Sequence, residues 1–154
     1  MDFDTEEKIE DALVALLNSQ VGSIRIFPAW GYSSATLQFP CVIVHTGDAL
    51  PVADEAEWAN AREFPVECAL MVESADEIGG TAKIITTIRE QNRAARSEIY
   101  NILAGSDLTQ RLTDLGHEGI IFSHAQLEAA PRSAENRKLI TTFTLSVIAT
   151  PIED

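Results

Sequence analysis

The order of apolar patterns predicts an α+β domain whose mainly antiparallel sheet has helices packed on one face. Strand-like runs follow one another between residues 23 and 74 with no helix between them, two helical patterns are grouped after them, and the chain closes on two long alternating segments. A doubly wound parallel sheet would need strict alternation of strand and helix, which is absent. At 154 residues the chain is one domain, 1–154, long enough to bury about two-thirds of the surface its unfolded form exposes.

Taken in order, residues Thr5 to Ser19 read as an amphipathic helix. Ile9, Leu13, Leu16 and Leu17 recur at helical spacing, Thr5 is placed to cap the start, and Glu6 and Glu7 suit the positive end of the dipole. Gly22 ends it. Ser23 to Phe27 is a short strand, and an irregular stretch from Pro28 to Gln38 holds Trp30 and Tyr32 as expected anchors. Phe39 to Thr46, FPCVIVHT, is apolar enough for a strand buried on both faces. Gly47 to Asn60 reads as loop. From Ala61 to Ser74, Phe64, Val66, Cys68, Leu70 and Val72 alternate with Glu67 and Glu73, the mark of a long, half-exposed strand.

The Gly79-Gly80 pair precedes the longest helix, Thr81 to Leu103. Ile84, Ile88, Ala95, Ile99, Ile102 and Leu103 form its buried stripe, with Arg89, Glu90, Arg93 and Arg96 outward and Gly105 as its expected cap. A short helix from Asp107 to Leu115 follows, capped by Asp107 and closed by Gly116. Gly119 to Leu127 and Arg137 to Ala149 are the last strands, joined by EAAPRSAEN as a long polar loop. In the final strand Leu139, Thr141, Phe143, Leu145, Val147 and Ala149 mark one face.

Formal net charge is −13, from 24 acidic and 11 basic residues. That field repels phosphate backbones and anionic headgroups, so neither nucleic acid nor membrane is an expected partner. There is no run of about 18 apolar residues and no signal-peptide pattern at MDFDTEEKIEDAL, which reads as cytoplasmic. Cys41 and Cys68 both fall in apolar strands as buried free thiols, with no disulfide framework or CxxC motif.

No constellation for chemistry emerges. There is no GxSxG elbow, and Cys41 and His45 lie too far apart along one strand for a direct hydrogen bond. His45, His117 and His124 stand in no metal-ligand spacing, and the acidic loop DALPVADEAE lacks EF-hand spacing. Gly79-Gly80 belongs to no phosphate-binding motif. The expectation is therefore no catalytic residue, no metal and no cofactor. A small enzyme or ligand-binding domain stays open as an alternative, to be recognised by ionisable groups converging in a deep pocket.

What remains is surface equipment suited to protein contacts. The acidic loop carries Asp54, Glu55, Glu57 and Trp58, and the approach to the last strand carries Arg132, Arg137 and Lys138. An acidic loop on one side and a basic arm on another would suit head-to-tail contacts in a ring.

The order EEKIEDALVALL, FPCVIVHTGD, AREFPVECALMVES, RSEIYNILAG and NRKLITTFTLSVIATP resembles the tail terminator (tail-completion, minor tail) proteins of long-tailed bacteriophages across most of the chain. The resemblance implies a structural virion subunit without catalytic residues, assembled in the host cytoplasm as a homo-oligomeric ring, commonly a hexamer. That ring caps the tail tube protein, stops its polymerisation and offers a surface to the head–tail connector. A head–tail joining or neck protein beneath the portal is the neighbouring alternative.

Overall fold

The computed structural model describes residues 3–29, 39–51, 61–73, 82–116, 118–135 and 138–152. Helix α1 (Phe3–Gln20) leads into β1 (Arg25–Pro28), β2 (Cys41–Thr46), β3 (Leu50–Pro51) and β4 (Arg62–Glu73). Helices α2 (Ala82–Leu103) and α3 (Leu108–Asp114) follow, then β5 (Ile120–Ala129), β6 (Arg132–Glu135) and β7 (Lys138–Pro151). The α+β class with a mainly antiparallel sheet is thus present, in a single domain with one core. Trp30, Tyr32, Gly79, Gly80 and His117 lie outside the described residues.

Among the described residues the sheet has seven strands in the order β1-β2-β4-β7-β5, with β3 added to β4 and β6 to β7. Among the described strands β1 and β2 are the parallel pair. The centre is the β4–β7 pair, in register from Arg62 opposite Ala149 to Glu73 opposite Lys138. Two long alternating strands in uninterrupted register turn every second side chain to the same side. Phe64, Val66, Cys68, Leu70 and Val72 therefore share one face with Phe143, Leu145 and Val147.

The three helices among the described residues pack on that face. Ile9, Leu13 and Leu17 of α1, Ile99 and Leu103 of α2, and Leu108 and Leu112 of α3 join one buried cluster with the strand residues. The stripe expected on α2 holds for Ala95, Ile99, Ile102 and Leu103, whereas Ile88 is only half-buried. On β2, Cys41, Val42, Ile43 and Val44 are all buried, which bears out a strand covered on both faces.

Several local expectations need correction. Helix α1 begins at Phe3, so Thr5 lies inside it, buried, instead of capping it. Asp107 stands at the start of α3 but makes no cap hydrogen bond; its carboxylate accepts from Arg111 Nε at 2.8 Å. Gly105 has no left-handed backbone, so it is not the glycine cap expected of α2. It provides room instead, since a Cβ there would sit 2.7 Å from Asp107 Oδ1. Gly116 does close α3 with φ 63°.

The largest correction concerns EAAPRSAEN. It is not a loop throughout: Arg132–Glu135 forms β6 and pairs with Lys138–Thr141. Glu135 opposes Lys138, so residues 136 and 137 are all that connects the two strands. Arg132, Ser133 and Ala134 are exposed, as suits an edge strand, and edge strands carry little apolar alternation. Leu50–Pro51 likewise adds a two-residue strand inside the expected loop 47–60.

Candidate protein-binding surface

The strands that carry the charged segments have opposite ends. At one end of the sheet, Lys138 begins β7, Arg132 begins β6 opposite Thr141, and Asn92 of α2 donates a 2.7 Å hydrogen bond to the Glu73 carbonyl. That bond brings the arginine face of α2 to the same end. Arg93 is exposed there and Arg96 half-buried. Glu73, opposite Lys138, and Glu90, exposed between Arg89 and Arg93 on α2, are acidic side chains at the same end.

At the other end, Pro51 opposes Arg62 and Arg62 opposes Ala149, so the acidic stretch between Pro51 and Ala61 starts and finishes there. The acidic C-terminus leaves from the same place, because the Ile152 N–H donates to the Gly119 carbonyl at 2.9 Å. Asp4 belongs to this end as well: it pairs with Lys8 at 2.9 Å, and Lys8 packs against Gly119. Lys8 and Arg62 are basic side chains at this end, and the Arg62 guanidinium donates to the Ala61 carbonyl at 2.8 Å.

Of the seven residues expected to make protein contacts, Arg132 and Lys138 are described. Asp54, Glu55, Glu57, Trp58 and Arg137 lie outside the described residues. Arg132 is exposed and, among the described residues, makes no ion pair. Lys138 is half-buried, with its Nζ 5.9 Å from the centroid of the Phe39 ring, a cation–π approach that employs it partly within the fold.

The structure adds residues that the sequence pattern did not single out. Beside β6 and β7, α2 presents Arg96, Ser97, Tyr100 and Asn101 along a cleft of about 230 Å³ whose other wall holds Arg132. Phe143 and Thr141 form its buried floor. Tyr100 is 50% exposed, a large aromatic with half its surface in water. The available signal was its place just off the apolar stripe of α2, next to Ile99. A second cleft of about 430 Å³ lies on the far side of Tyr100, lined in part by Thr109, His124 and Gln126.

The thiols are placed for packing. Cys68 is fully buried, and burial pushes it up to about 12. Burial also raises Cys41, against the opposing pull of the Lys138 charge. His45 stands four residues from Cys41 on β2 and is exposed while Cys41 is buried. Among the described residues no three His, Cys, Asp or Glu side chains gather as a metal site, and no helix is long and apolar enough to cross a membrane.

The sheet face turned away from the helices carries Met71 and Ile140 in register, then Ala69 beside Thr142, then Glu67 beside Thr144. These side chains are half-buried, apart from the exposed Glu67. What the described surface offers is therefore a charge-polarised edge with an arginine- and tyrosine-lined cleft. Compared with known proteins, the chain matches no family model and no curated relative.

Proposed function

We propose that this chain is the subunit of a homo-oligomeric ring that caps a completed phage tail tube, ending polymerisation of the tube protein and offering a docking surface to the head–tail connector. It performs no chemistry in this role and needs no cofactor. The ring assembles in the host cytoplasm and remains in the virion tail.

The observation that carries the reading is the charge polarity along β7. Basic side chains gather around Arg132 and Lys138, while the acidic stretch after Pro51 and the acidic residues after Ile152 leave from the opposite end, marked by Ala149; the shorter acidic pair Asp76 and Glu77 follows Glu73 at the basic end. A subunit with unlike charges at opposite ends repels its own kind in two relative orientations and attracts it head to tail. Head-to-tail contacts generate rings when the rotation between subunits closes. The order of elements that resembles tail terminators supports the identity of the partner.

Native mass spectrometry of the purified chain, followed by electron microscopy after mixing with tail tubes, tests the proposal. A closed oligomer seated on tube ends is the expected result. A chain that stays off tube ends at every concentration sinks it, and capture by the connector without the tube moves the role to the neck.

A further inference from the structure

The cleft between α2 and the β6–β7 hairpin brings two cationic side chains to an aromatic wall. Arg96 reaches it from the helix and Arg132 from β6, with Tyr100 and Asn101 beside them. Neither arginine makes an ion pair among the described residues, in a chain with 24 acidic and 11 basic residues. Guanidinium groups recognise carboxylates through paired hydrogen bonds and stack on aromatic faces. Tyr100 adds a ring on which a second aromatic can pack. The chemistry the cleft accepts is thus an acidic segment with an aromatic residue close by.

The chain contains one such segment away from its termini: Asp54, Glu55 and Glu57 followed directly by Trp58. Its own covalent anchors keep it from its own cleft. Pro51 and Ala61 flank it at the Ala149 end of β7, whereas Arg132 in the cleft stands opposite Thr141, eight residues earlier on the same strand. At the rise of an extended strand those eight residues span about 27 Å. Asp54, Glu55 and Glu57 each lie within four residues of Pro51 or Ala61, a tether of at most about 14 Å however the segment runs. The chain's own tether holds these carboxylates away from Arg132, whereas a second molecule brings its segment without that tether.

We propose that the cleft lined by Arg96, Tyr100 and Arg132 receives the Asp54–Trp58 segment of a second copy of this chain. The carboxylates meet the two guanidinium groups and the indole packs on Tyr100. The contact is heterologous, because the donor segment and the acceptor cleft are different surfaces of the same subunit. It rests on the reading of a self-assembling ring and names the joint between neighbours.

The test uses the full chain and a fluorescently labelled synthetic peptide of residues 48–60, with a scrambled peptide as control. Anisotropy is expected to show binding of the native peptide over the scrambled one, weakened at least tenfold by Arg96→Glu with Arg132→Glu. In native mass spectrometry the same double variant stays monomeric at concentrations where the parent assembles. So does the triple variant Asp54→Lys, Glu55→Lys, Glu57→Lys. Mixing the two variants then restores assembly of alternating subunits, because the intact segment of the double variant meets the intact cleft of the triple variant and the exchanged charges meet at the other joint, which separates a lost contact from a misfolded chain. Peptide binding that survives the double reversal, or a parent-like assembly by either variant alone, overturns the proposal. A parent chain that never assembles refutes the ring, and the peptide titration still decides the cleft.

Discussion

The backbone N–H of Thr46, at the end of β2, donates a 3.1 Å hydrogen bond to Glu10 Oε1 on α1, 36 residues away in sequence. Glu10 is almost completely buried, at 5% exposure, on a helix otherwise acidic on its wet side. Its carboxyl is raised above the ordinary 4.5 chiefly by burial, with Asp11 and Glu6 adding to the rise. The Thr46 bond and the charge of His45 oppose it.

A raised acid favours the proton in the folded chain. Its contribution to stability is present in full below the unfolded value of 4.5 and is lost as pH rises through the higher folded value. Glu10→Gln is always neutral, and its amide oxygen can still accept from Thr46. The variant is expected to melt higher than the parent at pH 7 and close to it at pH 4, a comparison made by thermal denaturation across pH. Glu10→Ala behaves oppositely: it leaves the Thr46 N–H without a partner and costs about 1–3 kcal/mol.

Thr109 makes a second long-range clamp. Its Oγ1 accepts from the Ala125 N–H at 2.9 Å and donates to the Ala125 carbonyl at 3.4 Å, tying α3 to the edge strand β5. Ala125 sits just past the register shift between Phe122 and His124, where the ladder with β7 is interrupted. Thr109→Val keeps the shape and removes both bonds, so it should cost about 1–3 kcal/mol. Hydrogen exchange at the Ala125 amide should accelerate more than at Val147 opposite. Equal acceleration at both would mean that the clamp is global rather than local.

The contrast between these clamps and the strands shows what was readable from sequence. In β4 and β7, Phe64 to Val72 and Leu139 to Ala149 announce their faces because a period of two is visible without knowing any partner. The helix stripe ending in Ile99, Ile102 and Leu103 is readable for the same reason. Strand β6 is not: Arg132-Ser133-Ala134-Glu135 is short and carries no large apolar side chain, and only pairing with β7 makes it a strand. The cleft is hidden further, since Arg96 and Arg132 are 36 positions apart and meet only once α2 is laid against the hairpin. Charge polarity required the register, because Arg62 opposite Ala149 is what assigns the acidic stretch to one end.

The two thiols should behave as core atoms. With Cys68 pushed up to about 12 and Cys41 also raised, both by burial, little thiolate exists at pH 8 and neither sulfur meets solvent. Labelling by a thiol-reactive disulfide reagent should be slow in buffer and fast in denaturant for both residues. The rate in buffer should follow opening of the fold. Rapid modification of Cys41 in native buffer would contradict the burial of that face of β2.

Two glycines near α3 separate the effect of space from that of backbone geometry. At Gly105 a Cβ would meet Asp107 Oδ1 at 2.7 Å, the tip of a side chain that pairs, among the described residues, with the exposed Arg111 guanidinium. Moving that carboxylate sacrifices an interaction of about 0.3–0.5 kcal/mol. Alanine meanwhile narrows the unfolded ensemble by about 0.4–1 kcal/mol where the native backbone suits it. Gly105→Ala should therefore be close to neutral despite the contact. At Gly116 nothing lies within 4 Å of the new Cβ, yet φ is +63°, which a side-chain-bearing residue holds at a cost of about 1–2 kcal/mol. Gly116→Ala should be the more destabilising of the two in chemical denaturation, although it is the less crowded. The reverse order would mean that Asp107 cannot move, and that its bond to Arg111 matters more to the turn between α2 and α3 than its exposure implies.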